Sequence, residues 1–137
     1  MGKEVFIDAN IFLEIFFDDA QADQCEKFLK SVESEEIIPL TTDFLVYSCI
    51  IAIENKFKDY KKVENALIFF RNYQNMKILV PSMDELHSAV LITETEKLDF
   101  DDSLVVACMR SYGIKELASL DKHFDKVKDI KRILFQK

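Results

Sequence analysis

The stretch that most limits what this chain can become lies near its start. Val5-Phe6-Ile7 runs into Asp8-Ala9-Asn10, and apolar residues resume at Ile11-Phe12-Leu13. An apolar run this dense and β-branched predicts a buried strand ending at about Asp8. Such strands belong to α/β sheets whose faces are covered by helices, so that only the strand ends stay open to ligands. Asp8 therefore falls where these folds place their chemistry. The alternative is local: Asp8 or Asn10 caps the helix that follows, as Asx residues often do.

The downstream chain keeps alternating between the two periods. Further short strands are predicted over 37–40, 76–80, 116–119 and 130–135, and helices over 11–17, 21–32, 43–55, 61–74, 82–97 and 103–112. Pro39 places the second strand's end, or a sheet edge, at that point. Thr41 or Thr42 caps the 43–55 helix, which is apolar almost all round through Phe44, Leu45, Val46, Tyr47, Cys49, Ile50, Ile51 and Ile53. A helix of that kind is buried on more than one side or pairs with a second copy. Ser82-Met83-Asp84-Glu85 has the capping-box form, followed by an apolar face of Leu86, Ala89, Val90 and Thr93. Gly113 ends the 103–112 helix. Strands separated by helices predict a three-layer α/β/α sandwich with a mostly parallel central sheet. The 137 residues contain only 2 Gly and 2 Pro and no linker-like tract, which gives one domain over 1–137.

Composition excludes several classes. The longest apolar runs are about eight residues, far short of the ~20 a spanning helix needs, and no signal-peptide pattern precedes Val5. The expectation is a soluble, cytoplasmic protein with no membrane role. Cys25, Cys49 and Cys108 are odd in number and widely spaced, and each falls on an apolar helical stripe, so they read as buried thiols rather than a disulfide or zinc framework. His87 and His123 have no second ligand at metal spacing and read as surface or packing residues. A net charge of −7 argues against gripping nucleic acid by electrostatics alone. Basic residues do cluster at Lys56, Lys58, Lys61 and Lys62, and again from Lys122 to the end of the chain.

Three carboxylates share one place in this architecture. Asp8 follows the first strand, Asp121 follows the fourth, and Asp102 opens a helix on what should be the same edge. Carboxylates held together repel, and a hard divalent cation with oxygen ligands resolves that repulsion. Mg2+ or Mn2+ bound in this way is typical of phosphate chemistry.

Phe6-Ile7-Asp8-Ala9-Asn10-Ile11-Phe12, Leu98-Asp99-Phe100-Asp101-Asp102-Ser103-Leu104 and Leu117-Ala118-Ser119-Leu120-Asp121-Lys122-His123-Phe124-Asp125 occur in this order across nearly the whole chain. In these pieces the sequence resembles PIN domains, most closely the small VapC-type toxin ribonucleases. The resemblance implies a metal-dependent endoribonuclease in which Asp8, Asp102 and Asp121 match three of four acidic positions, Asn10 supports the first aspartate and Ser119 precedes the last. It implies a Mg2+ or Mn2+ ion that polarises the RNA phosphate and activates water. It also implies a homodimer neutralised by an antitoxin. The fourth acidic position, a Glu in the helix after the second strand, falls on Ser48. Asp43 and Glu54 lie about 140° and 240° around an ideal helix from it, so neither replaces it. Asp99, Asp101 and Asp125 are the other acidic candidates, set against helix capping or plain exposure.

Two further readings stand beside the nuclease. One is an inactive or weakened PIN-fold module that binds RNA or protein, motivated by Ser48. The other is phosphoryl transfer through an aspartyl intermediate at Asp8, which usually wants a second Asp where this chain has Asn10.

Overall fold

The computed structural model describes residues 3–34 and 36–133. Five strands form one sheet: β1 (Glu4–Ile7), β2 (Ile38–Thr42), β3 (Lys77–Leu79), β4 (Glu116–Ala118) and β5 (Lys131–Ile133). Its order is β3-β2-β1-β4-β5, and every pairing is parallel. Six helices connect the strands: α1 (Ala9–Phe16), α2 (Ala22–Ser34), α3 (Asp43–Phe57), α4 (Tyr60–Asn72), α5 (Met83–Glu96) and α6 (Phe100–Tyr112). A short 3-10 helix over Lys122–Lys126 joins β4 to β5. The last strand expected from the sequence extends to Phe135, and its final two residues lie outside the described ones.

Strand alternation divides the core into two. Phe6, Leu40 and Leu117 face the layer of α5 and α6, packing with Ala89, Ile92, Val105 and Met109. Val5, Ile7 and Ala118 face the opposite layer, with Ile11, Phe12, Leu29, Cys49 and Phe70. These two packed faces make the three-layer sandwich. Phe12 anchors the second layer, meeting Phe70 edge-on at 4.8 Å, a favoured aromatic geometry. Cys25, Cys49 and Cys108 are all buried free thiols.

Local signals hold well. Thr42 caps α3 by accepting from the Leu45 N–H, and Ser82 and Glu85 form both halves of the capping box that opens α5. Gly113 takes the left-handed conformation, φ 69°, that stops α6.

Two expectations need correction, and a third is narrowed. Pro39 lies neither on an edge strand nor at the end of one: β2 sits between β3 and β1, with Pro39 opposite Val5. The Ile38 N–H reaches the carbonyl of Lys3, just before β1, so the next residue turns its backbone toward β3, which begins only opposite Leu40. The proline's missing N–H thus falls where the ladder has not yet started. On α5, Ala89 and Ile92 are buried while Val90 and Leu91 are exposed, which rotates the inward face from the one expected. On α3, Leu45, Val46, Cys49 and Ile53 are buried, but Tyr47 and Ile51 are more than half exposed, so one side stays open. None of the described helices is long and apolar enough to cross a membrane.

Candidate functional site

The strand order creates the site. From β1 the chain moves outward through β2 to β3, then returns across α5 and α6 to place β4 on the other side of β1. Connections leave β1 and β4 in opposite directions, which opens a crevice between their carboxyl ends. Asp8 follows β1 directly, and Ser119 to Asp121 follow β4.

Asp8 caps the helix that follows it and lies at the crevice. It is the N-cap of α1, its Oδ1 accepting from the Ala9 N–H at 2.8 Å. Its Oδ2 accepts from the Ser119 hydroxyl at 2.8 Å and from Asn10 Nδ2 at 3.3 Å. Three of its roughly four acceptor positions are therefore taken by the protein. Burial pushes its carboxyl up to about 6 against these hydrogen bonds, with the charges of Asp121 and Asp101 adding to the rise.

Ser119 and Asn10 tie the two strand ends together. The Ser119 hydroxyl accepts from Asn10 Nδ2 at 3.1 Å and from the Asp121 N–H at 3.0 Å while donating to Asp8, which uses all its capacity. Asn10 Oδ1 accepts from the Leu120 N–H at 3.1 Å, which fixes the orientation of its amide. Arg132 of β5 adds a bond from Nη1 to the Ser119 carbonyl at 3.2 Å.

The acidic group itself is Asp102, Asp121 and His123. One ligand atom from each lies within 4.8 Å of the others. Both the His123 N–H, at 2.9 Å, and its Nδ1, at 3.0 Å, approach Asp121 Oδ1. Asp102 stands at a helix start, as the sequence suggested. It lies in the first turn of α6, to which the chain returns from α5 through residues 97–99. Burial, then the charges of Asp101, Asp8, Asp121 and Asp99, push its carboxyl up to about 7. Asp8 lies outside the 4.8 Å group and is coupled to it by charge. His123 is exposed, as a surface residue should be, and its place beside Asp121 comes from the turn that buried Phe124 pins down.

The remaining candidates have other partners. Both oxygens of Asp125 accept from the Arg132 guanidinium, at 2.8 and 3.1 Å, which holds its carboxyl below the usual range. Asp99 is the N-cap residue of α6 but makes no side-chain capping bond. Asp101 Oδ1 accepts from the Asp102 N–H at 3.0 Å. Ser48 is exposed and donates to the Phe44 carbonyl one turn back. Its neighbour Cys49 is buried in the layer behind β1, with Sγ 3.7 Å from the Ala9 carbonyl. Burial, reinforced by the Asp8 charge, pushes that thiol up to about 12.

A metal fits this donor set. Two carboxylates and an imidazole converge, and the carboxyls of Asp102 and of nearby Asp8 are pushed up by burial and by neighbouring carboxylates, a condition a divalent cation relieves. Oxygen donors suit Mg2+ or Mn2+, and the nitrogen suits Mn2+ better.

Fold and site together define an α/β protein with an acidic cluster at the switch point of a parallel sheet. The PIN domain family model matches residues 5–130, and the chain belongs to that family. Among solved structures it is similar to VapC20 of Mycobacterium tuberculosis, a sarcin-ricin loop cleaving toxin, with a TM-score of 0.70 at 15% identity, covering 88% of this chain and 92% of that one. It is also similar to a toxin-antitoxin complex from Klebsiella pneumoniae, with a TM-score of 0.70 at 14% identity, covering 93% and 95%. VapBC2 from Rickettsia felis, bound to a DNA fragment from their promoter, gives a TM-score of 0.73 at 11% identity, covering 97% and 99%. At these identities the likeness is one of fold. No curated relative matches the sequence.

Proposed function

We propose that the protein is a Mg2+- or Mn2+-dependent endoribonuclease, the toxin of a toxin-antitoxin pair. The observation that supports this most is the convergence of Asp102, Asp121 and His123 within 4.8 Å, beside an Asp8 fixed by Ser119 and Asn10. Asp102 and Asp121, joined by His123, would hold the ion, with Asp8 behind them. A bound divalent cation would polarise the phosphodiester and make water a stronger nucleophile. The chain's own residues set the geometry. Ser119 and Asn10 lock the Asp8 carboxylate, the 3-10 turn aims Asp121, and the start of α6 delivers Asp102. Exposed Lys122, next to Asp121, is placed to meet an RNA phosphate.

The toxin assignment rests on family membership together with fold neighbours described as toxins and toxin-antitoxin complexes. Within it the protein works in the cytoplasm as a homodimer restrained by an antitoxin, and the open side of α3 at Tyr47 and Ile51 supplies an apolar face for pairing. The test is RNA cleavage assayed with Mg2+, with Mn2+ and with chelator. Cleavage should need the ion and be abolished by Asp8→Asn or Asp102→Asn; cleavage that survives chelation would reject the mechanism.

One observation favours a second reading, a PIN-fold binding module without catalysis: Ser48, where the resemblance implies a Glu, is exposed and bonded back along α3, and supplies no carboxylate. That reading predicts Mn2+ binding with no cleavage of any RNA.

A further inference from the structure

At the far end of α1 the surface changes character. Lys56 Nζ lies 4.5 Å above the Phe17 ring, Lys62 Nζ 4.5 Å above Phe57, and Lys61 Nζ 5.8 Å above Tyr60. Phe17 and Phe57 meet edge-on at 5.9 Å, which joins the end of α1 to the turn between α3 and α4. All four lysines of this cluster, Lys58 included, are exposed, and Tyr60 is 72% exposed. Among the described residues none of the four takes part in an ion pair. A hollow of about 150 Å³ opens between Phe16, Phe57, Lys62 and Asn65.

We infer that this lysine–aromatic patch is a second contact for single-stranded RNA, engaging nucleotides that flank the bond held at the acidic site. Stacking rings set among cations are how proteins grip single strands without reading sequence. Lysine is depleted from the cores of protein interfaces, which sets this surface apart from the apolar side of α3. Position agrees with the role: the nine residue steps from Asp8 to Phe17 rise about 13 Å along α1, roughly four stacked nucleotides. Asp59 lies between the lysines in sequence, with Glu54 and Glu64 flanking them, and Asp59 is occupied in capping α4. The local charge is therefore only slightly positive, so recognition draws on stacking together with one or two phosphates. An acidic protein gains in this way the grip on RNA that its overall charge denies it.

This inference rests on the nuclease reading, and one set of measurements separates the two. Binding of a fluorescent, unstructured RNA of about 12 nucleotides is followed by anisotropy across a salt series. The Lys56→Ala/Lys62→Ala double variant should weaken binding about tenfold and reduce the slope of log K against log salt by about 1.4. Tyr60→Ala should weaken it about fivefold with the slope unchanged. Mn2+ affinity by electron paramagnetic resonance and the unfolding midpoint should match wild type in both variants. If wild type binds and cleaves RNA and the variants bind equally well, the patch is refuted and the nuclease stands. If the variants lose affinity as expected but wild type cleaves nothing with any divalent ion, the patch stands and the nuclease reading falls. A double variant that loses self-association in sedimentation while keeping its RNA affinity would make the patch a protein interface and overturn the proposal.

Discussion

Replacing Asp8 by Asn should make the metal-free protein more stable at neutral pH while removing its response to metal. The rise of the Asp8 carboxyl from 3.8 to about 6 corresponds to about 3 kcal/mol lost from the native state at pH above both values. Asn at this position still caps α1 through the Ala9 N–H, since Asn is among the best N-caps. Its amide nitrogen would, however, face the Ser119 hydroxyl and Asn10 Nδ2, both donors to Asp8, and losing two such bonds costs about 2 kcal/mol. A net gain of about 1 kcal/mol at pH 7.5 remains. The sign in pH follows from the direction of the shift. A carboxyl raised on folding contributes stability that is fully present below its unfolded value near 4 and is lost as pH climbs through 6. Lowering the pH from 7.5 to 5 should therefore return about 1.4 kcal/mol to wild type through Asp8 alone. The variant lacks that increment, so its advantage should vanish or reverse at pH 5. Asp102, raised to about 7, moves both proteins in the same direction and largely cancels in the difference. Urea unfolding in chelator at the two pH values measures this. Adding Mn2+ to one hundred times its dissociation constant should then stabilise wild type by about 2.7 kcal/mol and leave the variant almost unmoved. A difference between the proteins that is the same at both pH values would refute the reasoning.

Other perturbations test the neighbouring residues. Ser119→Ala removes a donor to Asp8 and the acceptor shared by Asn10 and the Asp121 N–H, and should lower Mn2+ affinity by about 10- to 100-fold in a resonance titration. His123→Ala should weaken Mn2+ more than Mg2+, because imidazole favours the transition metal; equal losses would remove His123 from the ligand set. Ser48→Glu should change neither Mn2+ affinity nor RNA cleavage, since Ser48 is exposed and bonded back along its own helix. A gain in either would put that position in the site. Phe12→Ala should lower stability by about 3–5 kcal/mol in urea unfolding by emptying the layer behind α1.

What could be read from the sequence follows the range of the interaction. The capping box at Ser82 and Glu85, the Thr42 cap and the Gly113 stop are settled within four residues, and each forms as the local pattern indicates. Asp8, Asp102 and Asp121 were legible because strand ends and helix starts are themselves periodic signals. Pro39 was misplaced because sheet order depends on where β3 begins, some forty residues away. His123 was passed over because its closeness to Asp102 exists only once β4 lies beside β1. Arg132 could not have been assigned from its neighbours, since its partners Asp125 and the Ser119 carbonyl belong to a turn and a strand end that folding brings to it.

That arginine has a consequence for how the molecule can be cut. Its guanidinium fork grips Asp125 while a third N–H reaches the peptide carbonyl directly beneath the acidic crevice. The outermost strand is thus latched to the residue that steadies Asp8, across the full width of the 3-10 turn. Clipping the chain before residue 131 would leave most of the two cores untouched yet loosen the floor of the proposed ion site, so a trimmed protein should still fold while binding added Mn2+ poorly.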